Sequence, residues 1–248
     1  MDEQNRLDRN SSWARPVSRL ATADLPPGAV NLNVAGRQVV GPLQGFGQLW
    51  QKTYQARLSG ADATPAQVIR VWKENFPSFW PPGNKFYTPL TGIQPGEVAV
   101  LNLAGPGGMS GPGGVPMIST GVLVIYADDE SFSFMTPQGH MFAAIITFSA
   151  YDDDGAVAQV QALIRANDPL YELAFRLGFG HRMEDEFWRQ TLVNLAAHFG
   201  VNGQVQQKVT LVDARVQWSQ AGNIWHNAAI RTALYMPVAL ARRVFRRR

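Results

Sequence analysis

The sequence predicts an α+β fold: a curved antiparallel sheet of about six or seven strands around a long C-terminal helix, with an N-terminal arm and a C-terminal helical extension. Three observations support this class. Strand-like segments follow one another closely between Glu97 and Arg165, and short links require antiparallel neighbours. A helical period then returns over His181 to Phe199. Hydrophobic residues make up 46% of the 248 residues, enough for a packed core, so wholesale disorder is excluded.

The first strand and the first helix come before the main run of strands. Leu49 to Leu58 nearly alternates in polarity, as a half-buried strand does. Thr64 and Pro65 then start a helix, because threonine accepts hydrogen bonds from first-turn amides and proline suits the first helical position. Pro77 ends this helix, and Trp80 to Gly83 reinforces the break.

Five further strands are predicted as a ladder with short, polar connections. Their polar residues are mostly serine and threonine rather than charged residues. We therefore expect much of this sheet to be covered by a helix, the arm or a cavity. The five strands are Val98–Leu103, Ile118–Tyr126, Ser131–Met135, Met141–Ala150 and Ala156–Arg165.

Helical segments dominate the chain after this ladder. Pro169 to Leu177 is predicted as a short helix, Gly178 to Gly180 breaks it, and His181 to Phe199 forms a long amphipathic helix. Residues 201–221 contain an alternating stretch that is either an added edge strand or an ordered linker. Ile224 to Arg248 is predicted as a helix with a proline inside it.

These elements divide the chain into three parts. Residues 1–44 form an extended N-terminal arm, residues 45–200 form the α+β domain, and residues 201–248 form a C-terminal extension with a basic helical tail. The arm is polar, weakly patterned and carries an isolated Trp13. It is either a flexible terminus or a segment strapped onto the domain.

Positive charge is concentrated at the C-terminal end. The net charge is +3, but five arginines lie among the last seven residues, and the remaining chain has 17 basic against 19 acidic residues. Because nucleic-acid-binding domains spread lysine and arginine over a face or groove, we expect no nucleic acid partner. The tail is apolar and then polybasic, which favours an anionic membrane surface; a solubilising terminus or a docking peptide is the alternative. The five arginines are Arg242, Arg243, Arg246, Arg247 and Arg248.

Cysteine is absent from the sequence, which excludes a disulfide scaffold, a thiolate metal site and a cysteine nucleophile. The first twenty residues mix acidic and basic side chains and contain no apolar core of a secretory signal. We therefore expect a cytoplasmic protein, peripheral to a membrane if the tail attaches to one. No cofactor is expected.

Three segments carry a resemblance to a known family. They are Leu49 to Lys52 before the first helix, the hairpin Phe134 to His140 leading into Ala143 to Phe148, and Phe187 to Leu192 on the long helix. Together with the order of elements, they resemble the helix-grip superfamily, also called SRPBCC or START/Bet v 1-like, in its uncharacterised actinobacterial branches. The hairpin is also similar to a Thr-x-x-Gly-His turn in a plant and bacterial family of unknown function. The resemblance covers about residues 45–200.

The resemblance implies an apolar pocket between the sheet and the long helix. Members of the superfamily bind lipids, sterols, polyketides or plant hormones, and some are cyclases, aromatases or hydrolases. Our leading hypothesis is a noncatalytic protein that binds a hydrophobic small molecule or lipid. Residue type alone does not separate pocket lining from filled core. The candidate ligand-binding residues are Trp72, Phe76, Phe134, Phe142, Phe148, Phe187, Trp188 and Leu192.

The second hypothesis is a cyclase-like or hydrolytic enzyme on the same fold. His140 follows a hairpin glycine, and an unperturbed histidine pKa of about 6.5 permits acid–base chemistry. His181 shares a helical face with Glu184 and Asp185. Such a face can present two metal ligands, but acidic residues in a first helical turn also complement the helix dipole, and no metal site is expected. The catalytic candidates are therefore His140, or His181 with Glu184.

The third hypothesis is a structural or interaction protein that acts through residues 1–44 and the basic tail. The glycine-rich loop at residues 105–114 fits neither a P-loop nor a dinucleotide-binding motif. It is either a mobile lid over the pocket or a plain connection.

Overall fold

A computed structural model describes residues 12–22, 28–111 and 115–246. The strands of these residues form one antiparallel sheet in the order β3-β4-β5-β6-β7-β8-β2-β9, and β1 pairs with β6 off this path. The predicted α+β class with a large antiparallel sheet and long helices is confirmed. The strands are β1 (Val39–Val40), β2 (Leu49–Arg57), β3 (Lys85–Tyr87), β4 (Val98–Leu103), β5 (Ile118–Ala127), β6 (Ser131–Pro137), β7 (Phe142–Asp152), β8 (Ala156–Ala166) and β9 (Val205–Asp213).

Four α-helices and four short 3₁₀ segments accompany the sheet within the described residues. The helices α1 and α3 pack on its inner face, where α1 contacts β7 and β8 and α3 contacts β2, β8 and β9. The α-helices are α1 (Pro65–Asn75), α2 (Pro169–Arg176), α3 (Phe179–His198) and α4 (Ala228–Arg246). The 3₁₀ segments are Pro42–Gln44, Phe76–Phe79, Pro106–Gly108 and Trp218–His226.

Helix α1 begins as the sequence predicts. The Thr64 hydroxyl accepts a hydrogen bond from the Gln67 amide at 3.3 Å, and the Gln67 side chain accepts one from the Thr64 amide at 2.7 Å. This reciprocal capping satisfies two backbone donors that the first turn leaves free. Val68, Ile69 and Trp72 are buried, so the face they share fixes α1 against the sheet.

The described sheet has nine strands, two more than the upper end of our expectation. The additional two, β1 and β3, contain two and three residues. Such short segments show no polarity period, which is the signal that identified the longer strands. The alternating stretch after residue 201 is the edge strand β9, which pairs with β2 through Trp50 and Leu211 and excludes the linker alternative.

The described part of the N-terminal arm lies against the outer face of the sheet. Leu20 and Val34 are buried in a second hydrophobic cluster with strand residues of β4 and β5. Trp13 is not isolated, since it forms a β-bridge with Tyr126 and its ring centroid lies 4.7 Å from the Tyr126 ring. The described arm is therefore strapped onto the domain; residues 1–11 and 23–27 lie outside the described range.

The long helix starts earlier than the sequence predicts. The predicted break over Gly178 to Gly180 is shorter than expected, because α3 already begins at Phe179. Gly178 is the N-cap and adopts a φ of 79°, a left-handed conformation that favours glycine. The single residue Gly178 is thus enough to separate α2 from α3.

The C-terminal helix packs on the outer face, opposite α1 and α3. Thr232 of α4 accepts a hydrogen bond from the Ser119 amide of β5 at 3.0 Å, and Asn33 of the arm donates to the Ser119 carbonyl at 2.8 Å. The helix starts at Ala228, four residues later than predicted, and contains Pro237. Arg247 and Arg248 lie outside the described residues. Within the described chain, none of the helices combines the length and apolar character needed to cross a membrane.

Candidate functional site

A cavity of about 110 Å³ lies between the inner face of the sheet and α3. Strands β4 to β7 form one wall, and α3 with the segment after α1 forms the other. Six aromatic residues dominate the lining: Trp80, Phe86, Phe134, Phe142, Phe187 and Trp188. Seven aliphatic or thioether side chains complete the apolar surface: Leu101, Leu103, Ala104, Val122, Met141, Ile146 and Met183. The polar lining residues are Asn84, Thr136, His140 and Glu184.

Four of the eight candidate ligand-binding residues line this cavity: Phe134, Phe142, Phe187 and Trp188. The other four, Trp72, Phe76, Phe148 and Leu192, are fully buried in the surrounding core. They support the lining, because Phe76 lies 5.4 Å from Phe134 and Phe148 lies 5.4 Å from Trp188 between ring centroids.

Trp80 and Phe86 also line the cavity, although we did not predict them as lining residues. Trp80 follows the 3₁₀ segment after α1, and its indole stacks edge-on against Phe187 of α3 at 4.9 Å. Phe86 lies on β3, the three-residue strand that shows no period. The available signal for Trp80 was a large aromatic residue directly before a Pro-Pro-Gly turn, which we interpreted only as a helix break. In the described chain, Trp80 Nε1 is buried without a hydrogen-bond partner.

Glu184 joins the cavity to a buried ion-pair network. Its Oε2 lies 2.8 Å from Lys52 Nζ, and Lys52 Nζ lies 2.7 Å from Asp185 Oδ1. The Tyr54 hydroxyl donates to the same Asp185 oxygen at 2.7 Å. Lys52 and Tyr54 are two residues apart on β2, so both side chains point from one face of the strand toward α3. One lysine therefore pairs with two carboxylates, and we did not predict it as a site residue.

The two carboxyl groups of this network differ in protonation. Burial raises the pKa of Glu184 to about 7, although the Lys52 ammonium opposes the shift. Burial also acts on Asp185, but hydrogen bonds from Lys52 and Tyr54 outweigh it and hold its pKa below the usual value. Burial, the charge of Glu184 and the hydrogen bond to Asp185 raise the pKa of Tyr54, which stays a neutral donor. Of the two carboxyl groups, Glu184 is thus the one whose pKa burial moves toward neutral pH.

His140 lies on the cavity wall as a neutral imidazole. Its Nδ1 lies 3.0 Å from the amide nitrogen of Phe142, and burial lowers the pKa of His140 to about 4.

His181 does not line the cavity. Its ring lies between those of Trp50 and Phe175, at 5.0 Å and 4.8 Å, and burial followed by the Lys52 charge lowers its pKa to about 4.

The structure brings together some of the catalytic candidates but not all of them. His140 and Glu184 share the cavity lining, whereas His181 lies outside it. The carboxylate of Glu184 has no hydrogen bond to either histidine in the described structure. Lys52 takes the place that a metal ion would need between Glu184 and Asp185, and no group of three or more His, Asp or Glu in the described chain could hold a metal.

The glycine-rich loop starts next to the cavity, since Ala104 is a lining residue. The amide of Gly105 donates to the Met109 carbonyl at 2.8 Å, which closes a tight turn. Residues 112–114 lie outside the described range, and both predicted alternatives for the loop, a mobile lid or a plain connection, stay predictions.

No family model matches the chain, and no curated protein matches it. Among solved structures, it is similar to a protein from Mycobacterium smegmatis at 15% identity and a TM-score of 0.40, over 60% of this chain and 89% of that one. A protein from Arthrobacter aurescens is 13% identical with a TM-score of 0.42, over 60% and 86%. The major latex-like protein 151 of Panax ginseng is 12% identical with a TM-score of 0.36, over 62% and 99%. Similarities at this level carry no conclusion about function.

Proposed function

We propose that this protein binds a small hydrophobic molecule in the cavity between the sheet and α3, and that it is a member of the SRPBCC superfamily. The single observation that carries the proposal is the cavity of about 110 Å³ between the sheet and α3, whose described lining is mostly apolar. Folded proteins leave few internal spaces larger than a water molecule. A void whose walls are mostly aromatic and aliphatic holds water poorly and binds apolar guests.

The size of the void limits the guest. An apolar cavity of about 150 Å³ takes up benzene, whereas pockets for drug-sized ligands measure roughly 300–1,000 Å³. At about 110 Å³ and partly open to solvent, this cavity accommodates one aromatic ring or the end of an apolar chain, and part of a larger guest extends through the opening. Among the lining residues, Trp80 Nε1 is a buried donor without a partner in the described chain, so it is available to an acceptor atom on the guest.

A cavity-filling variant tests the proposal. Val122 is buried on the cavity wall, so Val122→Phe places the additional atoms in the void. We expect toluene to bind to the natural protein in a heteronuclear NMR titration and to shift resonances of the cavity lining. The variant loses this binding, while Leu90→Phe, at a site that is 93% exposed, keeps it. Toluene binding that survives Val122→Phe contradicts the proposal.

A second surface supports attachment to an anionic membrane. Ile230, Leu234 and Val238 recur every four residues of α4 and are exposed, Leu234 by 74%. Trp225, just before the helix, is 82% exposed. Apolar residues on one side of a helix with arginines elsewhere are typical of helices that lie in a membrane interface. Protein attached in this way would be membrane-peripheral.

A basic cleft lies beside the start of α4. Arg19, Arg37, Arg231 and His226 line it, and no acidic residue occurs among its described lining residues. Arg37 Nη1 lies 2.8 Å from His226 Nδ1, and burial together with the charge of Arg231 lowers the pKa of Arg37. Anionic headgroups would supply the missing negative charge.

Vesicle sedimentation tests the membrane proposal. Leu234→Asp and Ala233→Asp each add one negative charge to an exposed position of α4. Only Leu234→Asp places the charge in the apolar stripe, which consists of Ile230, Leu234 and Val238. We expect binding to phosphatidylglycerol vesicles, a roughly tenfold loss for Leu234→Asp, and a smaller loss for Ala233→Asp. Equal losses would show that the apolar stripe does not enter the membrane.

A further inference from the structure

The cavity contains a buried carboxylate whose hydrogen-bonding capacity is only partly used. The Glu184 side chain is 3% exposed, and among the described residues the cation that pairs with it is Lys52, whose Nζ lies on the Oε2 side. Within the described chain, Oε1 is buried without a hydrogen-bond partner. Buried polar atoms are almost always paired, and a buried carboxylate oxygen without a donor is costly. A guest that donates a hydrogen bond to Oε1 would remove this cost.

The charge balance around Glu184 shows what kind of donor is missing. Lys52 on β2 is the one ammonium in contact with Glu184 and Asp185 among the described residues, so the ionised network has a net charge of −1. The other titratable groups that face it supply no positive charge at neutral pH. Tyr54 is a neutral donor to Asp185, and burial lowers the pKa values of His140 and His181 to about 4. When Glu184 is ionised, one additional cation would neutralise the network.

The remaining lining is suited to a cation. The faces of aromatic rings attract ammonium groups, and the attraction increases when water is excluded. Six aromatic residues line this cavity, and Phe187 lies three residues after Glu184 on α3, on the same side of the helix. Trp80 packs edge-on against Phe187 with centroids 4.9 Å apart. Aromatic rings around a carboxylate form a site for a positively charged nitrogen.

We propose that the guest of this cavity is a small organic ammonium ion, a protonated primary or secondary amine on an apolar body, whose N–H donates to Glu184 Oε1. This inference rests on the proposed function, because it names the chemical class of the guest in the same cavity. The ammonium group pairs with Glu184, the apolar body lies among the aromatic side chains, and Lys52 remains paired with Asp185.

Proton release is a direct consequence of this arrangement. Burial raises the pKa of Glu184 to about 7, so a substantial fraction of the empty protein carries a proton there at neutral pH. A bound ammonium ion stabilises the carboxylate, and the proton passes to the buffer. A neutral guest of the same shape leaves the proton on Glu184. The number of protons released therefore reports contact between the cation and Glu184 without any substitution.

Isothermal titration calorimetry of the whole chain near neutral pH tests the inference with three matched probes: benzylamine, benzyl alcohol and benzoate. We expect benzylamine to bind at least about tenfold more tightly than benzyl alcohol, and benzoate to bind most weakly. The benzylamine enthalpy should depend on the ionisation heat of the buffer, with protons released. The benzyl alcohol enthalpy should not depend on it.

Two variants complete the test. Glu184→Gln removes the charge and should reduce the preference for benzylamine over benzyl alcohol to less than about threefold. Glu186→Gln, on the same helix but 62% exposed and paired with Arg189, should keep the full preference. If benzyl alcohol binds as tightly as benzylamine, the inference is wrong and the proposed function stands. If none of the three probes binds, both are wrong. The preference of the natural protein for benzylamine over benzyl alcohol keeps the test decisive even if Glu184→Gln fails to fold.

Discussion

Lys52 Nζ and Glu184 Oε2 are 2.8 Å apart, and the two side chains are only 1% and 3% exposed. The pair joins β2 to α3 across the interior, so it holds the long helix at a fixed place over the sheet. A buried charge persists only when it is paired, because removing it from water is costly. Since Glu184 also lines the cavity, the same contact positions the polar part of the cavity wall.

Lys52→Met tests the structural role of this pair. The substitution leaves Glu184 as a buried carboxyl group without a cation, so its pKa rises further. We expect the free energy of unfolding to fall by roughly 3–5 kcal/mol at alkaline pH, where the unpaired carboxylate would be ionised. The loss should be smaller below neutral pH, because a protonated Glu184 needs no cation. Urea denaturation at both pH values measures the difference. Lys208→Met on the exposed strand β9 is the control, and a loss for Lys52→Met that is equal at both pH values contradicts this account.

His140 should make the fold more stable as the pH rises through the weakly acidic range. Burial lowers its pKa from 6.5 to about 4, so between these values the unfolded chain binds a proton there and the folded chain does not. The free energy of unfolding therefore increases with pH across this window, by roughly 3 kcal/mol for this residue. His181 acts in the same direction. His140→Gln should flatten the profile measured by urea denaturation, and an unchanged slope would show that His140 is accessible to water.

Glu184 should make the fold less stable as the pH rises through the weakly acidic range, which is opposite to the effect of His140 and His181. Its folded pKa is raised from 4.5 to about 7, so the folded chain binds more protons than the unfolded chain between these values. This residue makes the free energy of unfolding decrease as the pH rises through that window. We expect Glu184→Gln to steepen the stability increase between about pH 4.5 and 6.5. The matched variant Glu186→Gln should follow the natural profile, and identical slopes for the two variants would exclude a raised pKa at Glu184.

Thr232 should be important for attaching α4 to the outer face. Its hydroxyl accepts from the Ser119 amide at 3.0 Å and donates to the Ala228 carbonyl at 2.6 Å, and the residue is fully buried. Thr232→Val keeps the shape but leaves the Ser119 amide without its acceptor, which should lower the free energy of unfolding by about 1–3 kcal/mol. Thr210→Val on the exposed edge strand should change it by less than about 0.5 kcal/mol. Thermal denaturation of both variants measures the two losses. Equal losses would contradict the proposed attachment of α4.

Gly139 should tolerate no side chain. It has a φ of 91°, and a Cβ atom there would collide with the carbonyl oxygen of His226. Its own carbonyl accepts from the Ala228 amide at 2.9 Å, so this hairpin holds the start of α4. Gly139→Ala should cost roughly 3 kcal/mol or more. Gly155→Ala, at a φ of 114° with open space around it, should cost only the backbone strain of about 1–2 kcal/mol. Chemical denaturation measures the cost of each substitution. Equal costs would mean that the hairpin at Gly139 does not contact the segment that contains His226.

The long strands and helices were predictable because each shows its own period. The strand predicted at Val98–Leu103 is β4, and Thr64 caps α1 as its residue type indicates. Strands β1 and β3 were not predictable, since two or three residues show no period. Docking of the arm depends on Leu20 and Val34 reaching β4 and β5, a long-range contact that local pattern does not encode.

The candidate site was predictable only in part. Phe134 and Phe148 look alike in sequence, yet one lines the cavity and the other packs in the core, because a void depends on how all its neighbours fit together. Lys52 was missed because a lysine in a strand ordinarily faces water. Its role becomes visible only when α3 places two carboxylates above it.

Xenon binding in a crystal tests the central claim most directly, because xenon enters apolar voids without needing a polar partner. Crystals pressurised with xenon should show an anomalous peak between the side chains of Phe134 and Trp188, and Val122→Phe crystals should lack it. If xenon leaves this space empty in the natural protein, the interior is filled and the proposed binding function is wrong.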